Sequence, residues 1–288
     1  MYNPDEFIVE NGVLLAYKGS DSEITIPEGI TVIGEGAFAC CKTLTSLVIP
    51  DSVLEIDVQA FWACNKLETV LIGDGLRAIG AHAFAGCRRL AEVTLGKGLV
   101  TIANHAFYEC HKLASITIPE NVSEIGEGAF EECSSLASFQ VAEGNACYAA
   151  PDGNLYDKDI RVLVRYAIGK TEDRFTLPES VCYIHTAALA HSKYLKSVII
   201  PDQVLRIGES AFFACVNLEQ VTLPDSLMKI DRFAFWCCES LAQLTLPEDL
   251  FQIEENAFGC CDKLTVRVPR GSLAAACLED HQVAVEYI

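Results

Sequence analysis

One 23-residue pattern, L-x-x-I-x-I-P-x-x-V-x-x-I-G-x-x-A-F-x-x-C-x-x, is written nine times with small changes along this chain of 288 residues. Its isoleucine anchor recurs at Ile33, Ile56, Ile79, Ile102, Ile125, Ile184, Ile207, Ile230 and Ile253. Eight of the nine copies continue with Ala-Phe, from Ala37-Phe38 to Ala257-Phe258. A unit this short cannot bury its apolar side alone, so the copies must stack and share a continuous core. The recurrence therefore outranks chain length as a guide to architecture.

Each copy divides into parts with different physics. In Leu113-Ala-Ser-Ile-Thr-Ile-Pro119 apolar and polar residues alternate, which predicts a short strand with one buried face. The proline ends it by removing a ladder donor. Val122 and Ile125 then bury two more side chains. Gly126-Glu-Gly-Ala-Phe-Glu-Glu-Cys133 spaces its apolar residues as a helix does, which predicts a short α or 3₁₀ segment. The fold class expected is α/β: a right-handed solenoid with a parallel sheet of short strands on one side and short α or 3₁₀ segments on the other.

The register breaks once, between Cys133 and Ser192. The extra stretch holds Asp152-Gly153 and then Arg161 to Tyr166, and predicts a hairpin. The rung after it is eroded, with Leu189 for Phe and Ser192 for Cys, which predicts a bend or a local surface feature. One domain, 1–288, is expected: a hairpin cap at 1–23 around Asn11-Gly12, repeats at 24–141, a hairpin insertion at 142–174, repeats at 175–268, and a cap at 269–288. That last cap is expected to hold a helix over 271–280 with Ser272 as its N-cap, then a strand over 283–288. Two caps predict a complete stack.

The constant letters I-P-x-x-V-x-x-I-G-x-x-A-F-x-x-C, running over about residues 24–268, resemble the bacterial BspA-like leucine-rich repeat family. The resemblance implies a leucine-rich repeat solenoid with an interaction or adhesion role. It carries no catalytic residue to this chain.

Charge narrows the partners. Asp+Glu 40 against Lys+Arg 21 leaves a net charge of −19, which repels phosphate backbones and excludes nucleic acid. A basic or neutral protein, or a cation, remains. No apolar run approaches the length of a membrane span, so no membrane insertion is expected. Residues 1–7 have neither a basic run nor an apolar core, so the chain as it stands reads as cytoplasmic, and as a cell-surface protein if a signal precedes it. Eight of the 14 cysteines (Cys41, Cys64, Cys87, Cys110, Cys133, Cys215, Cys238, Cys261) share one repeat phase. Parallel Cβ vectors in such a column do not give a disulfide dihedral, and one ligand per rung does not converge on a metal. Reduced, buried thiols are expected.

Catalysis needs unlike groups meeting at a point, whereas repeats set like groups in columns. No catalytic, cofactor-binding or metal-ligating residue is assigned. His82 and His105 share a phase and read as a weak metal site or as two solvated histidines. Glu28, Asp51, Asp74, Glu120, Glu179, Asp202, Asp225 and Glu248 form an acidic column, broken by Lys97. It reads as turn chemistry, or as a site for calcium or a basic partner. Outward strand positions (Thr25, Val48, Leu71, Thr94, Thr117, Gln140, Thr176, Ile199, Thr222, Thr245) form the face on which solenoids usually dock partners. Beside the Ala-Phe pair stand Trp62, Tyr108, Phe213 and Trp236, with Phe233 three residues before Trp236. These rings either fill gaps between rungs or form a contact hot spot. The function expected is a non-enzymatic protein-protein interaction module. A second reading is a cell-surface adhesion domain separated from its secretion signal. A third is a hydrolase or metal-dependent enzyme with its site at the 142–174 insertion.

Overall fold

The computed structural model describes residues 6–278 and 283–288, and divides into two compact units, Met1–Gly153 and Asn154–Ile288.

In the first unit the expected strands stack in parallel at the 23-residue offset, Ser46 opposite Thr69 and Thr69 opposite Glu92. A second parallel ladder accompanies them. Two-residue strands Val32–Ile33, Glu55–Ile56, Ala78–Ile79, Thr101–Ile102 and Glu124–Ile125 place the isoleucine anchors opposite one another. Its start is a hairpin, Phe7–Glu10 against Val13–Tyr17, turned at Asn11 and Gly12 with φ of 51° and 80°. Val13–Tyr17 then pairs in parallel with Val32–Ile33. The hairpin expected around Asn11-Gly12 is thus observed, and residues 1–5 of the expected cap lie outside the described part.

The Gly-x-x-Ala-Phe-x-x-Cys segment forms no continuous helix, which corrects the helical part of the expectation. Two residues per rung have left-handed backbone, as Gln59 and Ala63, His82 and Gly86, or Phe233 and Cys237 do, with φ between 55° and 74°. Every second amide makes an i→i−3 bond, as Trp62 N does to Gln59 O at 2.9 Å. The alternate amides point to the next rung: Phe61 N donates to Ala83 O at 2.8 Å and Ala63 N to Ala85 O at 2.8 Å. A helix would keep those donors for itself. The stack uses them to join neighbours, which offsets the left-handed strain.

The core is a pile of rings. Phe38, Phe61, Phe84, Phe107 and Phe130 stack with centroids 4.9–5.5 Å apart. All fourteen cysteines are free. The buried thiols do more than fill space: Cys64 Sγ donates to Phe38 O at 3.1 Å, and Cys87, Cys110 and Cys133 repeat the bond one rung further on. Residues past the fifth repeat close the unit. Buried Asn145 donates to Pro119 O at 2.7 Å and Val122 O at 3.0 Å, and its Oδ1 accepts from Cys147 N and Tyr148 N. Tyr148 Oη accepts from Ile125 N at 3.0 Å.

The second unit repeats the plan. It opens on a hairpin, Leu155–Asp157 against Val162–Arg165, and Val162–Arg165 pairs in parallel with Tyr183–Ile184. Strands Arg206–Ile207, Lys229–Ile230 and Gln252–Ile253 follow in that ladder. The stretch read as one insertion therefore splits into a C-terminal closure for the first unit and an N-terminal hairpin for the second. The eroded rung is no surface feature: Leu189 and Ser192 are buried at 0% and 1% exposure, and Cys215 Sγ donates to Leu189 O as other thiols do to Phe. Leu273–Cys277 is a helix whose N-cap Ser272 accepts from Ala275 N at 3.1 Å. Residues 279 and 280 of the expected helix lie outside the described part. Ala284–Tyr287 adds the final strand, parallel to Thr265–Val268.

Candidate interaction surfaces

The five aromatic candidates fall into two groups. In the second unit Phe213 and Trp236 occupy the same phase on adjacent rungs, tied by Ala214 N donating to Trp236 O at 2.8 Å. Phe233 meets Trp236 edge-on at 5.3 Å and 83°, and His191 meets Phe213 at 5.5 Å. Trp236 packs closely against Gly259, where a Cβ would stand 2.1 Å from its ring. All three rings are half-buried. Phe233 and Trp236 are in ring contact, and Phe213 stands in the Trp236 phase one rung away.

In the first unit the column is broken. Trp62 is 44% exposed, but the next rung has buried Ala85 in its place. Tyr108, one rung further, donates its hydroxyl to Glu132 Oε1 at 2.9 Å. Burial and that carboxylate raise the Tyr108 pKa far above the usual phenol range.

A stripe that the sequence reading missed lies in the second unit. Leu205, Met228 and Phe251 are 43–50% exposed on three successive rungs, joined by Met228 N to Leu205 O and Phe251 N to Met228 O. The signal was available: the residue after the buried Val/Leu phase is large and apolar three times running. The outward strand positions are solvent-facing as expected, with Leu71 and Ile199 the most apolar. A groove of about 390 Å³ between Val93, Thr94, Thr117 and Pro119 lies on that face of the first unit.

Two members of the acidic column are tied into the stack. Asp51 Oδ1 accepts from Asp74 N at 2.7 Å, and Asp74 Oδ1 accepts from Lys97 N at 2.8 Å. These carboxylates act as turn residues, each holding the next rung. Among the described residues no group of three or more His, Cys, Asp or Glu is arranged to hold a metal ion.

The two column histidines stack, with His82 and His105 centroids 5.0 Å apart and planes 12° apart. Lone pairs of parallel rings run side by side and do not meet at one ion. Glu131 Oε2 lies 3.6 Å from His105 Nε2. Burial, and then the charge of His105, push the His82 pKa below its ordinary value of 6.5. The unfolded chain thus binds the proton more tightly, so this contribution to stability is complete above about pH 6.5 and is lost as pH falls through the lower folded value. His82→Gln, with Gln59 already in the same left-handed position, is expected to flatten the pH dependence of the unfolding midpoint between about pH 7 and 5. Exposure keeps the effect below about 1 kcal/mol. Identical pH profiles for both proteins, followed by thermal unfolding, would rule the coupling out.

No helix among the described residues is long and apolar enough to cross a membrane.

Comparison with known proteins places this geometry. The family described as BspA type leucine rich repeat region (6 copies) matches residues 15–137 and 169–274. Curated protein sequences give no match. Among solved structures, the pneumococcal vaccine antigen PcpA is similar at 27% identity and a TM-score of 0.80, over 88% of this chain. The chain spans 64% of that antigen's length. A leucine rich cell surface protein from Faecalibacterium prausnitzii is 27% identical with a TM-score of 0.63, over 99% of this chain and 94% of its own. A leucine-rich repeat protein from Eubacterium ventriosum shares the fold at 24% identity and a TM-score of 0.76, over 89% of this chain and 77% of its own.

Proposed function

The chain belongs to the BspA type leucine-rich repeat family, and on that premise we propose that it is a non-enzymatic scaffold that binds a protein through the patch of Phe213, Phe233 and Trp236. The observation that carries the reading is the arrangement of those rings. Phe233 and Trp236 meet edge-on, Gly259 packs against Trp236 and His191 against Phe213, while each of the three rings stays partly exposed. Rigid, half-buried aromatic groups lose little entropy on contact and dominate interface energies. The acidic surface favours a basic or neutral partner.

The test is Phe233→Ala with Trp236→Ala. Alanine already stands at both phases elsewhere, as Ala187 with φ of 53° and as Ala190, so the stack should hold. Affinity for a protein captured by the wild type from native lysate is expected to fall by about thirtyfold or more. Circular dichroism and the melting temperature should change little. Equal capture by both proteins, with equal sedimentation profiles, removes the patch from the interface.

A second reading puts the same scaffold on a cell surface. It is supported by the Faecalibacterium prausnitzii relative, itself described as a cell surface protein. Protease treatment of intact source cells should then cleave the protein before cell lysis.

A further inference from the structure

Four cysteines lie beside the aromatic patch, as two adjacent pairs in the sequence: Cys237-Cys238 and Cys260-Cys261. The inner members, Cys238 and Cys261, are buried, and their thiols donate to Phe212 O and Phe235 O. The outer members differ. Cys260 is exposed and Cys237 half-buried, one rung apart in the same phase. Both have left-handed backbone, with φ of 58° and 57°, so their side chains leave the stack in the same direction. Cys237 N donates to Gly259 O at 2.8 Å, which pins the two chains at neighbouring-strand distance, about 4.8 Å. That spacing falls within the range of Cα separations a disulfide spans. The inner thiols are buried and engaged with those carbonyls, whereas Cys260 faces solvent and can change rotamer.

We propose that Cys237 and Cys260 form a surface dithiol that reacts with low-molecular-weight disulfides and closes reversibly to an intramolecular disulfide. The division of labour follows from burial. Desolvation, and then the hydrogen bond with Cys260, raise the Cys237 pKa to about 11, so the half-buried Cys237 stays a thiol, and the exposed Cys260 is the one a reagent reaches first. In the first step the Cys260 thiolate attacks a reagent RS–SR, forming Cys260–S–S–R and releasing RS⁻. Cys237 then gives its proton to RS⁻ and attacks Cys260 Sγ, releasing a second RS⁻, which takes a proton from water. Two protein thiols are oxidised and one reagent disulfide is reduced to two thiols. Parallel Cβ vectors strain the product, and a strained disulfide is readily reduced again.

The chain supplies its own control. Cys40 is also exposed with φ of 58°, but the residue one rung on is Ala63, so it lacks the same-phase thiol on the next rung that would resolve an adduct, and the adjacent Cys41 Sγ is engaged with Thr43 Oγ1 at 3.6 Å. The probe is bis(2-hydroxyethyl) disulfide, chosen because it is uncharged and the protein is acidic. The full chain is incubated with it, quenched in acid, alkylated and mapped by mass spectrometry. In the wild type, Cys40 should keep a mercaptoethanol adduct. Cys260 should keep none, the 233–263 segment instead losing two hydrogens. In Cys237→Ser, Cys260 should keep the adduct, and dithiothreitol should restore every thiol in both proteins. A lasting Cys260 adduct in the wild type overturns the proposal. So does an internal disulfide that survives in Cys260→Ser, because the inner pair would then be the site. Alanine stands in this phase at Ala63 and Ala214, so small side chains fit and the serine variants should fold; near-native circular dichroism checks this.

Discussion

Phe84→Ala is expected to lower the unfolding free energy by about 3–5 kcal/mol, the range for emptying a large site in a packed core. Phe84 is fully buried, with Phe61 at 5.0 Å on one side and Phe107 at 5.2 Å on the other. Removing one ring of a stack deprives two neighbours of a partner, and backbone bonds between rungs stop the gap from closing. Phe84 N donates to Ala106 O at 2.8 Å, and Phe84 O accepts from the Cys110 thiol. Phe84→Leu serves as the control. Leu189 fills the same phase in the second unit with no exposure, so leucine should cost less than about 1.5 kcal/mol. Chemical denaturation curves measure both. A loss below about 1 kcal/mol for alanine, or equal losses for the two variants, would mean the ring pile is not what holds the rungs together.

The isoleucine anchors, the strand alternation, the Asn11-Gly12 turn and the Ser272 cap were legible because each is a local rule with a residue type attached. The turn segment was misread because its conformation is decided elsewhere. His82 and Phe233 have φ of 55° and 57° although neither is glycine. What stabilises His82 is a hydrogen bond to a residue 22 positions on, His82 N to Asn104 O, and no local spacing reports it. Apolar residues three and four apart fitted a helix equally well. The same limit applies to the surface. A shared phase placed Trp62, Tyr108, Phe213 and Trp236 in one column, but only Phe213 and Trp236 stand on adjacent rungs within one unit. Asn145 and Arg165 carried no motif, since their role is to satisfy backbone groups left over where a stack begins or ends.

Arg165 makes that role testable. Along each stack the carbonyls of a turn accept amides from the rung before, and the first rung has no full rung before it. In the second unit Tyr166 N meets Ala188 O at 2.8 Å. Arg165, 6% exposed, donates its guanidinium to Ala190 O, the next acceptor of that kind, and to Ala187 O, which also accepts from Ala190 N at 3.1 Å. A planar group with several donors suits this task better than a point charge. Arg165→Met keeps much of the side-chain volume and leaves Ala190 O buried without this donor, at about 1–3 kcal/mol, while Ala187 O keeps its bond from Ala190 N. The expected total loss is about 1–3 kcal/mol, with Arg165→Lys falling between, because one ammonium does not reproduce the fork. Hydrogen exchange should show the loss first at Ala187 to Ser192 and spreading to Ser210 to Cys215, since each rung is held by the one beside it. If methionine matched the wild type in stability and exchange, the hairpin would be closing the stack by apolar contact through Tyr156, Leu163 and Tyr166 alone.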